Sequence, residues 1–84
     1  MIEPMSPKYE WGQRVRTLLD LENDGSYPDQ PEEAILVPAG ETGEIVRVGH
    51  HVDANISVYI VEFSNKFVVG CLEDELELEI QENR

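Results

Sequence analysis

The sequence is poor in cysteine and in basic residues. Its 84 residues include one cysteine, and only six lysines and arginines stand against 18 aspartates and glutamates. A single cysteine cannot form an internal disulfide, so nothing indicates a secreted, disulfide-stabilised fold. The formal charge of −12 repels phosphate backbones and anionic lipids, so we expect no nucleic-acid and no membrane partner. Such a charge favours a basic partner or simply maintains solubility.

Long apolar runs are also missing. The longest contain four residues, whereas a helix needs about 20 to cross a bilayer. The N-terminal stretch MIEPMSPKYE is polar and broken by prolines, so we expect no signal peptide and a soluble cytoplasmic protein. The length suffices for one domain, which we predict over residues 8–80, with a flexible leader at 1–7 and a tail at 81–84.

The acidic residues are concentrated in two segments. Residues 22–44 contain seven acids and no base, and residues 73–84 contain six acids and one base, while the rest of the chain is balanced. The first segment includes ENDGSYPDQPEE, Glu22 to Glu33, in which an Asn-Asp-Gly turn signal precedes two prolines. We therefore predict an ordered acidic loop here, because both features restrict the backbone.

Alternation of polar and apolar residues, rich in valine and isoleucine, predicts strands along most of the remaining chain. In ISVYIVEF the alternation places Ser57, Tyr59, Val61 and Phe63 on one face and Glu62 on the other, facing solvent. The predicted strands are Gln13–Leu18, Ala34–Val37, Glu44–Val52, Ile56–Phe63, Phe67–Leu72 and, within residues 75–80, an edge strand or a helical turn leading into one. A short helix is the weaker alternative for the first.

Glycines and prolines punctuate these strands. Pro38, Gly40 and Gly43 predict a tight connection in PAGETG. Gly70 lies inside a predicted strand and suggests a bulge or a close backbone approach. Five to six short strands without an amphipathic helix indicate an all-β fold. The best match is a small SH3-like barrel with a long acidic first loop at about residues 21–33.

The sequence assembles no active site, so we predict neither an enzyme nor a bound cofactor. His50, His51, Asp53 and Cys71 suggest a metal site at first sight. Neighbouring strand residues point to opposite faces, however, and the ligand spacing of zinc sites is missing. We therefore expect the two histidines in a polar turn after Val48.

Cys71 and Trp11 are expected to be structural residues. Cys71 lies in an apolar strand, where a free cysteine usually behaves as a small buried hydrophobe. Its acidic neighbours would raise the pKa of the thiol and so oppose a nucleophilic role. Trp11 is expected in or near the core, because a large aromatic side chain contributes most when buried.

Five short motifs follow one another within residues 8–76. They are Tyr9 or Trp11 with Gly12, Val15 and Arg16; Asn23, Asp24, Gly25 and Pro28; Leu36, Val37, Gly40 and Gly43; Tyr59, Val61 and Phe63; and Val69, Gly70, Cys71, Glu75 and Leu76. In this order and spacing they resemble the NifZ family of nitrogen-fixation accessory proteins. The Asn-Asp-Gly and Val-Gly-Cys motifs are the most specific, since a lone Gly-x-x-Gly turn occurs in many small barrels.

The resemblance implies a non-enzymatic, chaperone-like accessory protein in maturation of the nitrogenase molybdenum–iron protein. Its expected step is assembly of the P-cluster, an iron–sulfur cluster that bridges two subunits. The implied partner is that protein or one of its assembly intermediates. The residues predicted to bind it are Asn23, Asp24, Gly25, Tyr27, Pro28, Cys71 and Glu75.

Two other hypotheses remain open at this point. The chain could be an SH3-like docking module for a redox or multi-subunit enzyme outside nitrogen fixation. Alternatively, it could bind iron or a cluster directly through Cys71, together with His50 or His51.

Overall fold

The computed structural model describes residues 7–23 and 25–79, and this part of the chain is built almost entirely from strands. The elements are β1 (Arg14–Thr17), β2 (Leu21–Glu22), β3 (Ile35–Val37), β4 (Thr42–His51), β5 (Ile56–Phe63), β6 (Val68–Leu72), a 3₁₀ turn (Glu73–Glu75) and β7 (Leu76–Leu78). The predicted all-β class is confirmed. Within the described ranges, no helix is long and apolar enough to span a membrane.

Five strands form one antiparallel sheet in the order β6-β5-β4-β1-β7, and β2 pairs with β3 in a separate ribbon. The final strand is an edge strand preceded by a helical turn, as the sequence predicted. The described residues form seven strands, where five to six were predicted. The additional strand, β2, has only two residues and is therefore too short to show an alternation. The SH3-like barrel remains a prediction.

The core lies on one face of the main sheet. β5 shows the predicted alternation, since Ser57, Tyr59, Val61 and Phe63 are buried and Glu62 is exposed. Fully burying one such apolar side chain contributes about 1.5–3 kcal/mol. The buried apolar residues are Tyr9, Val15, Leu21, Leu36, Val37, Ile45, Tyr59, Val61, Phe63, Cys71 and Leu76.

The expected irregularity at Gly70 is wrong. The pairing of β5 with β6 has no register shift, and a Cβ atom on Gly70 would make only ordinary contacts, the nearest 3.5 Å from Ile60 Cδ1. The close approach lies at Gly43, where a Cβ atom would be 2.6 Å from the carbonyl oxygen of Glu62. Gly43 therefore allows β4 to lie against β5, which strand periodicity alone could not show.

The expected position of Trp11 is also wrong, because its side chain is 77% exposed. The amide of Gln13 donates to the carbonyl oxygen of Glu10 at 3.1 Å, and Gly12 has a φ of 91°. This is a tight turn with glycine at the position that needs a positive φ, and it places Trp11 at the tip. The aromatic residue that enters the core is Tyr9, which is 2% exposed.

Candidate functional site

The acidic loop, residues 22–33, is organised by the buried side chain of Asn23, which is 5% exposed. Its Nδ2 atom donates to the carbonyl oxygens of Tyr27 at 2.8 Å, Gln30 at 3.1 Å and Pro31 at 3.2 Å. One amide group thus binds three carbonyls that lie four, seven and eight positions further along the chain. Because these bonds tie three separate points of the loop to one buried side chain, Asn23 fixes the path of the described loop residues.

The other end of the same amide closes the beginning of the loop. Asn23 Oδ1 accepts from the backbone amides of Gly25 at 3.0 Å and Tyr27 at 3.2 Å. Gly25 has a φ of 102°, a conformation that glycine adopts without strain. Asn23 and Gly25 therefore show the side-chain-to-backbone bond and the positive φ that turn residues of these types favour. Asp24, also predicted to bind a partner, lies outside the described residues.

Tyr27 fastens the loop to the edge strand β6. Its hydroxyl donates to the carbonyl oxygen of Val68 at 3.0 Å and accepts from the amide of Val68 at 2.8 Å. Its ring meets the ring of Phe67 edge-on, with the centroids 4.9 Å apart. The hydroxyl thus covers the backbone groups of Val68 that an edge strand would otherwise offer to another chain.

The acids of the loop that the structure describes face solvent. Glu22, Asp29, Glu32 and Glu33 are exposed, and so is Pro28. Over residues 7–23 and 25–79 the ion pairs join β1 to the C-terminal strand region, Arg14 to Glu79 at 2.7 Å and Arg16 to Glu77 at 4.0 Å. No lysine or arginine among the described residues forms an ion pair with a carboxylate of the loop. The loop therefore presents an ordered, negatively charged surface.

Cys71 does not share this surface. It lies on β6, opposite Tyr59, and its side chain is fully buried. Burial, and then the nearby charge of Glu75, raise the pKa of the thiol from 9.0 to about 12. The thiol is therefore protonated at neutral pH, whereas the thiolate is the form that binds metals and attacks electrophiles. Contact between Cys71 and a partner remains a prediction, and it requires the buried thiol to become exposed.

Glu75 belongs to the 3₁₀ turn that follows β6. Its Oε1 atom accepts from the backbone amide of Leu72 at 2.8 Å, so the carboxylate caps the turn. Of the residues predicted to bind a partner, the structure brings together Asn23, Gly25, Tyr27 and Pro28 in the loop, whereas Cys71 is buried on β6 and Glu75 lies in the 3₁₀ turn. Whether any of them touches a partner remains a prediction.

His50 and His51 lie in β4, within the predicted strand Glu44–Val52, so the expectation of a polar turn after Val48 is wrong. They form the end of β4, where His50 pairs with Ser57 and His51 with Ile56 of β5. The turn of this long hairpin comes later, where the Asn55 amide donates to the Val52 carbonyl oxygen. Both histidines are exposed. The described part of the chain contains no group of three or more histidine, cysteine or acidic side chains able to hold a metal ion.

A groove beside the end of β5 was not predicted from the sequence. Ile56, Ser57, Leu72, Glu73 and Asp74 line a groove of about 220 Å³, which we name the Ser57 groove. The sequence signal that could have indicated this groove is Ser57, a polar residue on the buried face of an apolar strand. Strand periodicity gave no reason to associate it with the turn after β6, because that proximity depends on the pairing of β5 with β6.

One wall of the Ser57 groove is held by a buried tyrosine. The Tyr59 hydroxyl donates to Glu73 Oε2 at 2.8 Å and accepts from the backbone amides of Lys8 at 2.9 Å and Tyr9 at 3.2 Å. Burial raises the pKa of Tyr59, and the Glu73 carboxylate adds to the effect. The tyrosine therefore remains a neutral donor that fixes the position of Glu73.

Comparison with known proteins identifies the relatives of the chain. A family model described as NifZ domain matches residues 6–78. A Protein NifZ from Azotobacter chroococcum mcd 1 is 37% identical over 73 residues, which cover 86% of this chain and 46% of the relative. The corresponding protein of Frankia alni is 42% identical over 71 residues, covering 82% and 36%.

A third relative, the Protein NifZ of Azotobacter vinelandii, is 35% identical over 73 residues, covering 86% of this chain and 45% of its own length. The chain thus spans less than half the length of each of these three relatives. No solved structure matches the chain.

Proposed function

Because the chain belongs to the NifZ family, which is associated with nitrogen fixation, we propose that it is a non-enzymatic accessory protein in maturation of the nitrogenase molybdenum–iron protein. Its partner is that protein or an assembly intermediate, its step is P-cluster assembly in the cytoplasm, and its fold is an SH3-like barrel. The observation that carries the proposal is the family match over residues 6–78.

The acidic loop supplies the physical means of docking. The chain has a net charge of −12, and four exposed acids lie on one ordered loop. This negative potential speeds association with a partner that has a basic surface and disfavours binding of acidic proteins. The hydrogen bonds of Asn23 form within the free chain. Little conformational entropy is then lost when the loop binds, which favours affinity.

Under this proposal, the predicted binding residues that the structure describes in the loop have two roles. Pro28 and the neighbouring exposed acids contact the partner directly, since they lie on the outer side of the loop. Asn23 and Gly25 maintain the backbone path, and Tyr27 holds the loop on β6. Substitution of Asn23 therefore weakens docking indirectly, by disordering the surface.

The test is recovery of the nitrogenase molybdenum–iron protein from nitrogen-fixing cells on immobilised chain. The loop variant Asp29→Asn/Glu32→Gln/Glu33→Gln removes three exposed charges. Its matched control, Glu44→Gln/Asp53→Asn/Glu62→Gln, removes three exposed charges elsewhere. We expect the loop variant to recover several-fold less nitrogenase protein than the control. Equal recovery by both variants would exclude the acidic loop from the interface.

A further inference from the structure

The strand β6 forms one edge of the main sheet, so some of its backbone groups point away from β5. The amide of Phe63 donates to the carbonyl oxygen of Phe67 at 2.9 Å, which is one hydrogen-bonded pair between β5 and the chain entering β6. Because hydrogen-bonded and non-hydrogen-bonded pairs alternate along antiparallel strands, every second residue from there points its amide and carbonyl groups outward. These outward groups, which we name the β6 edge, belong to Val68, Gly70 and Leu72.

Side chains of the same molecule cover the two ends of the β6 edge. The Tyr27 hydroxyl donates to the Val68 carbonyl oxygen at 3.0 Å and accepts from the Val68 amide at 2.8 Å. At the other end, Glu75 Oε1 accepts from the Leu72 amide at 2.8 Å. Gly70 lies between them and is exposed, and in the described part of the chain its outward groups have no hydrogen-bond partner. The β6 edge is therefore open at its centre.

The β6 edge has the features that an added strand requires. Its three residues are spaced two apart, which is the repeat of backbone pairing on one side of a strand. Val68 and Leu72 pair with Glu62 and Val58 on the outer face of the sheet, and both side chains are exposed. Gly70 has no side chain that would hold another backbone away. An added strand would thus gain main-chain hydrogen bonds and cover apolar surface, the combination by which extended peptides join a sheet.

Charges around the β6 edge define the composition of that strand. Tyr27 attaches the acidic loop beside Val68, at the start of β6, and Glu73 and Asp74 directly follow its end. Lys66, in the turn before β6, adds one positive charge to this region. A second copy of this chain would bring acids against acids, which opposes self-pairing at a net charge of −12. Lysine or arginine at the ends of an extended segment would instead be attracted.

We propose that the β6 edge binds an extended, basic segment of a partner protein by strand addition. The backbone of the segment bonds the open groups of Gly70 and replaces the side-chain bonds at Val68 and Leu72. The Tyr27 side chain leaves the edge, while the bonds of Asn23 keep the rest of the loop in place. The inference rests on the proposed function only for the identity of the protein that carries the segment.

The test is a titration of the ¹⁵N-labelled chain with the acetylated, amidated peptide Lys-Thr-Val-Thr-Val-Thr-Lys, followed by amide chemical shifts and hydrogen exchange. We expect saturable shifts centred on residues 68–72, with a Kd on the order of 1 mM for so short a peptide. At about 10 mM peptide the Gly70 amide should then exchange about tenfold more slowly, because only the free chain exposes it.

Two control peptides separate strand addition from other modes of binding. The first is N-methylated at its five central residues, so it has the same side chains and charge but lacks the amide donors. It should not slow the exchange of the Gly70 amide, because strand addition depends on main-chain hydrogen bonds. The second has glutamate in place of both lysines and should bind at least about tenfold more weakly, since like charges repel.

Variants of the chain test the competition between Tyr27 and the peptide. Tyr27→Phe removes the bonds that occupy Val68, so it should bind the peptide about three- to tenfold more tightly. Tyr9→Phe is the matched control, because it removes a hydroxyl bonded to the Leu76 carbonyl oxygen on β7, and it should leave the Kd unchanged. Gly70→Pro removes the outward amide, at a position where an edge strand tolerates proline, and should weaken binding at least about tenfold. The dispersed amide spectrum of each variant verifies that it remains folded.

Three outcomes would overturn the proposal: shifts centred on residues 76–78 at the opposite edge of the sheet, equal binding of the N-methylated peptide, or a Kd that does not fall in Tyr27→Phe. Absence of saturable shifts up to about 20 mM peptide would do the same. Failure of the proposed function gives a different result, in which the peptide binds as described but nitrogenase protein is not recovered from cells.

Discussion

The acidic loop and the Ser57 groove use buried polar groups in opposite ways. In the loop, the Asn23 side chain makes five hydrogen bonds within the chain, to both donors and acceptors. In the groove, the Ser57 hydroxyl makes none to the described residues. The loop is therefore complete without a partner, and its polar groups define a shape. Beside the groove, the Ser57 hydroxyl is buried without such a bond, so it costs stability and defines no shape.

The largest predicted effect comes from breaking the loop's internal network. Asn23→Ala removes the donors to three carbonyl groups and the acceptor for two amides, so we expect a loss of about 3 kcal/mol in the free energy of unfolding. Urea denaturation measures it. Asn65→Ala is the control, because that side chain makes two bonds where Asn23 makes five: it donates to the Leu36 carbonyl oxygen at 2.9 Å and accepts from the Phe67 amide at 3.4 Å. Similar losses in both variants would contradict the organising role of Asn23.

Cys71 lies on β6 between the two regions and gives a prediction about pH. Its native pKa, about 12, exceeds the ordinary value of 9.0, so the unfolded chain releases this proton first as pH rises. The contribution of the protonated thiol to the free energy of unfolding is complete below about pH 9 and is lost between pH 9 and about pH 12. We expect unfolding free energy to fall by about 1 kcal/mol from pH 9 to pH 10 through this group.

Urea titrations of the wild type and Cys71→Ala at several pH values isolate the share of the thiol. Tyr59 contributes in the same direction in both proteins, because its pKa is also raised. The variant should therefore retain a shallower decline above pH 9. Parallel declines in the two proteins would show that the thiol ionises as readily in the folded chain as in the unfolded one.

A smaller effect is expected from separating the loop from β6. Tyr27→Phe retains the ring packed on Phe67 but removes both hydrogen bonds to Val68, so we predict a loss of about 1 kcal/mol. The Val68 amide should also exchange with solvent faster, which hydrogen exchange detects. Tyr9→Phe, which removes one bond to the Leu76 carbonyl oxygen, should leave Val68 exchange unchanged. Equal Val68 protection in wild type and Tyr27→Phe would refute the anchor.

The smallest effect has the opposite sign. Ser57→Ala removes an unpaired buried hydroxyl, so we expect stability to rise by up to about 1 kcal/mol. Thr17→Val is the contrast, because it removes a buried hydroxyl that donates to the Leu19 carbonyl oxygen at 2.8 Å. It should lower stability by about 1 kcal/mol. Thermal unfolding measures both. Destabilisation in Ser57→Ala would mean that the hydroxyl is satisfied within the folded chain.

The fold was predictable wherever one local rule dominated. Alternation in β5 located the buried face correctly, because residues two apart on a strand share a side. The same rule could not decide between Tyr9 and Trp11, which are also two residues apart. Which of the two side chains is buried depends on the turn at Gly12 and on the space beside Tyr59. The rings of Tyr59 and Tyr9 lie 5.3 Å apart, measured between their centroids.

The candidate sites were predictable only in part, for a related reason. The Asn-Asp-Gly signal located an ordered loop, since turn chemistry is local. The bonds from Asn23 to Gln30 and Pro31 span seven and eight positions and follow no sequence rule. The Ser57 groove arises from pairing between strands, so its residues are adjacent only after folding.

The exposed tip of the Gly12 turn has a practical consequence for spectroscopy. Trp11 is the only tryptophan in the chain, and its indole is surrounded by water in the folded state. Its fluorescence should consequently differ little between the folded and unfolded chain. A blue shift on addition of a partner would then report a newly covered indole. Trp11 fluorescence would therefore show whether a bound partner covers the Gly12 turn. This turn precedes β1, whereas the acidic loop follows it.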